Sequence, residues 1–196
     1  KRLGHLFVHS KARREWQAGH KMLAMGLATA RPVVCAESRQ GPWLRANYFV
    51  TEEVVGASPL LSALEHISTA EERRDLLDRL ARWLYQTHRR GFYHDDCSAQ
   101  HIFVRVGPAG SCDPAHEFYF IDLDNCRFHR SIVPWGRRVK NLFQILRSIP
   151  LRWASQSDRR HFVESYLEAS GEQSCTDRAI AMMRRLARSK KASVHL

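Results

Sequence analysis

The sequence predicts a mixed α+β chain of two lobes: a small sheet-bearing lobe over residues 1–56 and a larger helical lobe over 57–196. Three observations lead there. The hydrophobic patterning reads in the order helix, β-hairpin, short linker, helix, β-hairpin, then helices. The 196 residues are 44% hydrophobic and 26% charged, enough apolar material for a real core and too much for wholesale disorder. Finally, a loop dense in His and Asp sits between a helix and a strand, where rigid flanks can position reactive groups.

Ser10 is a good N-cap, so the first helix is predicted from Ser10 to about Leu27, with Ala12, Trp16 and Leu23 at helical spacing and Gly26 closing it. Two strand-like runs follow, Pro32–Glu37 and Trp43–Val54, joined by the turn Ser38-Arg39-Gln40-Gly41-Pro42. Gly56-Ala57-Ser58-Pro59 reads as a linker. Thr69 and Glu72 form a capping-box signature for a helix over about Ala70–Arg90, with Leu76, Leu77, Leu80, Ala81 and Leu84 as its apolar stripe and Gly91 at its end. Ile102–Val106 and Glu117–Leu123 read as strands; Trp135–Ile149, Ser157–Ala169 and Thr176–Lys191 read as helices, the last basic and amphipathic. Such a helix either lies on an anionic membrane or packs on the large lobe with a solvated basic face.

Lys and Arg number 31 against 20 Asp and Glu, a formal charge of +11, which favours anionic partners without choosing among them. No apolar run approaches the roughly 20 residues that span a bilayer. Five cysteines without a C-x-x-C pair argue against a disulfide framework or a zinc ribbon and for a reducing compartment. Five Trp and five Tyr do not interleave with the C-terminal basic cluster as a nucleic-acid stacking platform requires, so no nucleic-acid partner is expected.

The loop runs Tyr93-His94-Asp95-Asp96-Cys97-Ser98-Ala99-Gln100-His101 and leads into Ile102-Phe103-Val104. The second strand ends in Ile121-Asp122-Leu123-Asp124. If the two strands pair, Asp122 returns toward Asp96. Phosphoryl transfer uses two such carboxylates, one to orient the attacking hydroxyl and one to hold the metal on the nucleotide phosphates. The protein-kinase signature is H-R-D, four residues and Asn, then D-F-G; here His94, Asp96 and His101 take the first pattern and Asp122-Leu123-Asp124 the second. A zinc set of His94, Cys97 and His101, with Cys126, has the wrong spacing for a common signature. In the upstream half Lys1 takes the place of the phosphate-binding lysine and Glu15 that of its helix partner, and any glycine-rich loop falls before Lys1.

These stretches resemble the lipopolysaccharide core kinases, the Kdo and heptose kinases of the WaaP/InaA type in Gram-negative bacteria. So do Ser10-Lys11-Ala12-Arg13-Arg14-Glu15-Trp16, against their helix motif, and Phe49-Val50-Thr51-Glu52-Glu53, against their hinge strand. The resemblance implies a protein-kinase-like two-lobed fold, with the N-lobe cut before the phosphate-lysine strand. It implies ATP-dependent phosphorylation of an inner-core sugar, heptose or Kdo, on a lipid-linked acceptor at the cytoplasmic face of the inner membrane. It makes Asp96 the catalytic carboxylate, flanked by His94 and His101. Lys1 and Glu15 fall to ATP, Glu52 and Glu53 to its adenine hinge, and Asp122, Asp124 and His101 to Mg²⁺. Departures stand beside it: Asp95 where many kinases carry Arg, His101 where Mg²⁺ prefers an oxygen, and Asn141 where an Asp is expected to brace the loop. Another small-molecule kinase of the same fold, or a degenerate kinase-like binding protein, remains open.

Overall fold

Ser10 caps the first helix: its hydroxyl accepts from the Arg13 N–H at 3.0 Å, and the Asn47 carboxamide takes the Ala12 N–H at 3.0 Å, satisfying two donors of the first turn. The computed structural model describes residues 10–105 and 118–189. Helix α1 spans Lys11–Ala24 and ends before Gly26, at φ +67°. It buries Ala12, Glu15, Ala18, Gly19 and Met22, while Leu23 stays 39% exposed. The buried stripe is therefore rotated from the expected one. Close approach is the reason: a Cβ on Gly19 would lie 2.6 Å from the Pro32 ring, so only small residues fit beneath the first strand.

Strands β1 (Pro32–Gln40) and β2 (Trp43–Thr51) form the expected antiparallel hairpin, with Gln40 opposite Trp43. The expected linker contains strand β3 (Ala57–Pro59), which begins a three-stranded sheet with β5 (Ile102–Arg105) and β6 (Phe118–Phe120) in the order β3-β5-β6. Between them come α2 (Leu60–His66), α3 (Ala70–Arg89) and β4 (Phe92–His94). The Thr69–Glu72 capping box of α3 forms, and the helix buries Leu76, Leu77, Leu80, Ala81 and Leu84. β4 pairs with β7 (Cys126–Phe128), setting His94 opposite Cys126. Helices α4 (Trp135–Ser148), α5 (Gln156–Ser170) and α6 (Thr176–Ser189) complete the described chain. The core runs through Leu80, Phe92, Phe120, Phe143 and Phe162.

Of the two fates expected for the basic helix, packing is the one seen. Ala179, Ile180, Met183 and Ala187 of α6 are buried in the core, while Arg178, Arg184, Arg185 and Arg188 are exposed. Its apolar stripe is thus not free to enter a lipid surface. No helix among the described residues is long and apolar enough to cross a membrane.

Gly91 is the hinge between α3 and the loop strand β4. Its φ is +84°, and a Cβ there would lie 2.3 Å from the His129 carbonyl oxygen and 2.9 Å from that of Ser131. Gly91→Ala is expected to cost about 3 kcal/mol and to lower the melting temperature by roughly 10 °C. An unshifted thermal melt would show that the α3–β4 corner is not rigid.

Candidate active site

The β5–β6 pairing, with Ile102 opposite Phe120, brings the ends of the two motifs together, and the Ile121 N–H donates to the His101 carbonyl at 3.0 Å. His101 stands between the two carboxylates expected to act. Its Nδ1 lies 2.8 Å from the Asp96 carbonyl oxygen, which only accepts, so Nδ1 carries the hydrogen. Its Nε2 is left 3.8 Å from Asp122 Oδ2.

Asp96 is held by its backbone. Its carbonyl takes bonds from His101 and from the Ser98 N–H at 2.9 Å, and its own N–H donates to His94 Nδ1 at 3.2 Å. The side chain is 57% exposed, on a loop whose neighbours Cys97, Ser98 and Ala99 are buried. A rigid base with a free carboxylate suits a group that must meet a substrate hydroxyl.

His94, expected among the catalytic groups, is buried. It is 2% exposed, and burial holds its pKa below the ordinary histidine value. With Nδ1 accepting from Asp96, Nε2 donates to the Asp122 carbonyl at 2.9 Å. The neutral ring therefore ties the backbone of one carboxylate to that of the other. Asp122 itself lies in the left-handed region at φ 57°, alone in this among the described non-glycine residues. Such strain collects at sites where geometry is over-determined.

Around Asp122 the structure gathers a cluster richer than the sequence suggested. Single oxygens of Glu15, Asp122 and Asp124 lie within 4.8 Å of one another. Lys11 Nζ reaches Asp122 at 2.8 Å, Glu15 at 3.4 Å and Asp124 at 3.9 Å. Burial, then hydrogen bonding with Asp122, pushes Glu15 up to about 6, with Lys11 pulling the other way. Asp122 moves down despite burial, because Lys11 and Glu15 hydrogen-bond to it. Three carboxylates form the all-oxygen donor set a hard divalent cation takes. Of the expected metal set, Asp122 and Asp124 fall in this cluster with Glu15 beside them, while His101 adjoins it, its Nε2 3.8 Å from Asp122 Oδ2.

Lys1 lies outside the described residues, and the lysine beside Glu15 in the structure is Lys11. A cavity of about 180 Å³ adjoins the cluster, walled by Thr29, Ala30, Phe49, Thr51, Ile121 and Leu123 and closed at one end by Glu15 and Asp122. Its walls mix apolar side chains, Ala30, Phe49, Ile121 and Leu123, with the hydroxyl-bearing Thr29 and Thr51. Thr51 reaches it; Glu52 and Glu53 do not line it. The Glu52 N–H donates to the Arg31 carbonyl at 2.8 Å and its side chain pairs with Arg31 at 3.4 Å, so this group is engaged away from the cavity.

Asp95 is bound to Arg127 at 2.7 Å and faces Lys140 at 3.6 Å; burial opposes its ionisation, but these cations hold it below the usual carboxylate range. The loop carrying Asp95 and Asp96 is thereby pinned to the strand after Asp122 by an ion pair already in place. Ser148 of α4 accepts the Ala99 N–H at 2.8 Å, while Asn141 and Gln144 donate to the carbonyls of His94 and Asp95. Asn141 thus braces the loop by donating, where an Asp would have accepted. The signal for this face was present in the sequence: Asn141, Gln144 and Ser148 are polar at helical spacing among Leu142, Phe143, Ile145 and Leu146.

The sequence profile of the lipopolysaccharide kinase (Kdo/WaaP) family matches residues 2–166. A lipopolysaccharide core heptose(I) kinase WaaP of Escherichia coli is 26% identical over 165 residues, which is 81% of this chain and 60% of that protein. The WaaP of Pseudomonas aeruginosa is 27% identical over 159 residues, 79% of this chain and 59% of its own. The chain thus spans about three-fifths of the length of the curated relatives it matches. Among solved structures, WaaP in complex with acyl carrier protein superposes with a TM-score of 0.66 at 24% identity, over 91% of this chain and 76% of that one. This likeness shows the α+β, kinase-like fold.

Proposed function

The chain belongs to the lipopolysaccharide kinase (Kdo/WaaP) family, and on that premise we propose that it carries the catalytic region of an ATP-dependent kinase acting on an inner-core sugar hydroxyl, heptose or Kdo. One observation carries the reading: Asp96 and Asp122 flank His101, one free on a clamped loop, the other in a carboxylate cluster at the mouth of a cavity. In this reading residues 1–56 are part of the N-lobe and 57–196 the C-lobe. Asp96 orients the attacking hydroxyl and accepts its proton. His101, through the Asp96 carbonyl, sets the loop. Glu15, Asp122 and Asp124 fit Mg²⁺, which when bound neutralises charge on the nucleotide phosphates. Lys11 faces those phosphates, and the cavity beside Thr51 and Phe49 receives the adenine.

A sugar acceptor is favoured over a peptide by the short stretch of chain between Asp122 and α4. Residues 123–134 are consumed by a 3₁₀ turn, β7 and the approach to α4, and Arg127 is committed to Asp95. Little remains to seat an extended peptide. The charge of +11 suits ATP and a phosphorylated glycolipid at an anionic membrane, with the exposed arginines of α6 acting by long-range attraction at the cytoplasmic face of the inner membrane.

The full-length protein, given γ-labelled ATP, Mg²⁺ and dephosphorylated lipopolysaccharide, is expected to label a core sugar. ATP binding without label would move the acceptor to another small molecule. Neither binding nor label would leave a degenerate kinase-like binding protein.

A further inference from the structure

Beside the loop that carries Asp96, three cations from two elements meet around one tyrosine ring. Tyr93 lies opposite Arg127 in the β4–β7 register. Arg137 and Lys140 share one face of α4. They bring a guanidinium carbon to 5.4 Å and an ammonium to 5.7 Å from the centre of that ring. Asp95 is the carboxylate among them: its Oδ2 takes Arg127 Nε at 2.7 Å and its Oδ1 faces Lys140 at 3.6 Å. Three cations against one carboxylate leave two positive charges in excess. Arg138 does not add to them, because Glu172 takes both its terminal nitrogens, at 2.7 and 3.0 Å.

His129 registers the excess. Its Nε2 is 2.9 Å from Arg137 Nη1, which only donates, so the ring accepts there and stays neutral. Burial, then the charges of Arg137 and Arg127, hold its pKa below the ordinary histidine value. The donors that remain face outward. Asp95 engages Arg127 through Nε, and that side chain is 58% exposed, which leaves the terminal guanidinium nitrogens for a second anion. Lys140 carries three hydrogens and is half-buried. None of these residues lines the cavity beside Thr51 or belongs to the carboxylate cluster, so the patch is separate from the nucleotide's place. Asp95 is also the immediate neighbour of Asp96, about 3.8 Å away between Cα atoms. An anion on the patch and a hydroxyl at Asp96 can therefore belong to one acceptor molecule.

We propose that Arg137 and Lys140, with the outer edge of Arg127, form an anion subsite for the acceptor, taking a carboxylate or phosphate carried on or next to the sugar whose hydroxyl Asp96 orients. The inference rests on the reading of the chain as a sugar kinase with Asp96 as its carboxylate. Asp95 holds Arg127 and Lys140 in place before the acceptor arrives, which lowers the ordering cost of binding.

The test measures binding of lipopolysaccharide core oligosaccharide to the full-length protein without ATP, and transfer from ATP beside it. Three forms of the oligosaccharide are compared: intact, dephosphorylated, and both dephosphorylated and carboxyl-reduced. The wild type is expected to bind the last form roughly tenfold more weakly than the first, the scale of a lost charge-assisted contact. The dephosphorylated form separates the two anions: weak binding assigns the subsite to phosphate, retained binding to carboxylate. Lys140→Met and Arg137→Gln are each expected to raise the acceptor KM and to shrink the preference toward unity, with the KM for ATP within about twofold. Equal wild-type affinity for the intact and reduced forms would overturn the subsite. So would variants that lose kcat on all forms alike while keeping the preference, since that is the signature of a loosened loop. A binding preference with no transfer to any form, or an active Asp96→Ala enzyme, would instead overturn the kinase reading and leave the anion subsite in place.

Discussion

Asp96→Ala is expected to lower turnover by roughly 10²–10⁴-fold, the range that a positioned acid–base group contributes, while the protein melts within about two degrees of wild type. The two halves come from the same geometry. The Asp96 side chain is 57% exposed, and the nearest ring nitrogen, His101 Nδ1, is 3.9 Å from its carboxylate. Exposed side chains of this kind change stability by about 0.5 kcal/mol or less. What holds the loop is its backbone: the bonds to His94, Ser98 and His101 all involve Asp96 main-chain atoms, which the substitution leaves in place. The KM for ATP should move little, because residue 96 is not among the walls of the cavity proposed to receive the adenine. Single-turnover transfer to the acceptor, with circular-dichroism melting beside it, measures both. Wild-type turnover would leave the loop without its proposed role, and a collapsed melt would mean the carboxylate is structural.

How far such a result could be foreseen from sequence varies along the chain. The α3 cap, the β1–β2 hairpin and the paired motif carboxylates were legible, since each rests on local spacing: Thr69 to Glu72, alternation across a turn, an apolar strand ending in Asp. Elements of three residues carry no period, so β3, β4 and β7 were not legible, and Pro59 disguised one of them as a linker. Helix α2, Leu60–His66, follows a proline N-cap without a capping side-chain bond and went unread because it carries no start signal. In α1 the periodicity was sound but its phase was not, because Gly19 and Ala18 are buried for their smallness rather than their hydrophobicity. At the site, residue type told which side chains could act but not which way they point. His94 turned inward to brace two backbones, Glu15 joined the carboxylates, and Lys11 was overlooked because a lone lysine at a helix start carries no signal of its own.

Asp122→Asn is expected to abolish metal-dependent turnover, by about 10³-fold or more in line with the loss of charge stabilisation at the phosphates, without unfolding the chain. Asparagine tolerates the left-handed conformation that residue 122 adopts at φ 57°. The bond from His94 Nε2 to the residue 122 carbonyl is unaffected. One negative charge leaves a cluster in which three carboxylates crowd within 4.8 Å, which offsets the loss of the Lys11 pair at 2.8 Å. The metal dependence should also carry a pH signature in the wild type. Glu15, raised to about 6, is protonated below that pH, and a divalent cation in the cluster has to displace that proton. The Mg²⁺ concentration for half-maximal activity is therefore expected to rise as the pH falls below about 6. The stability linkage runs the opposite way: a carboxyl with a raised pKa favours the folded state at low pH, and that contribution is lost as pH rises from the unfolded value of 4.5 through 6. Mg²⁺ titrations of activity at pH 5.5 and 7.5, with thermal melts in the presence and absence of Mg²⁺ and ATP, separate these effects. An Asp122→Asn enzyme that keeps its ligand-induced melting shift and its turnover would transfer the metal-holding role to Glu15 and Asp124. A half-saturation point that ignores pH would remove Glu15 from the metal set.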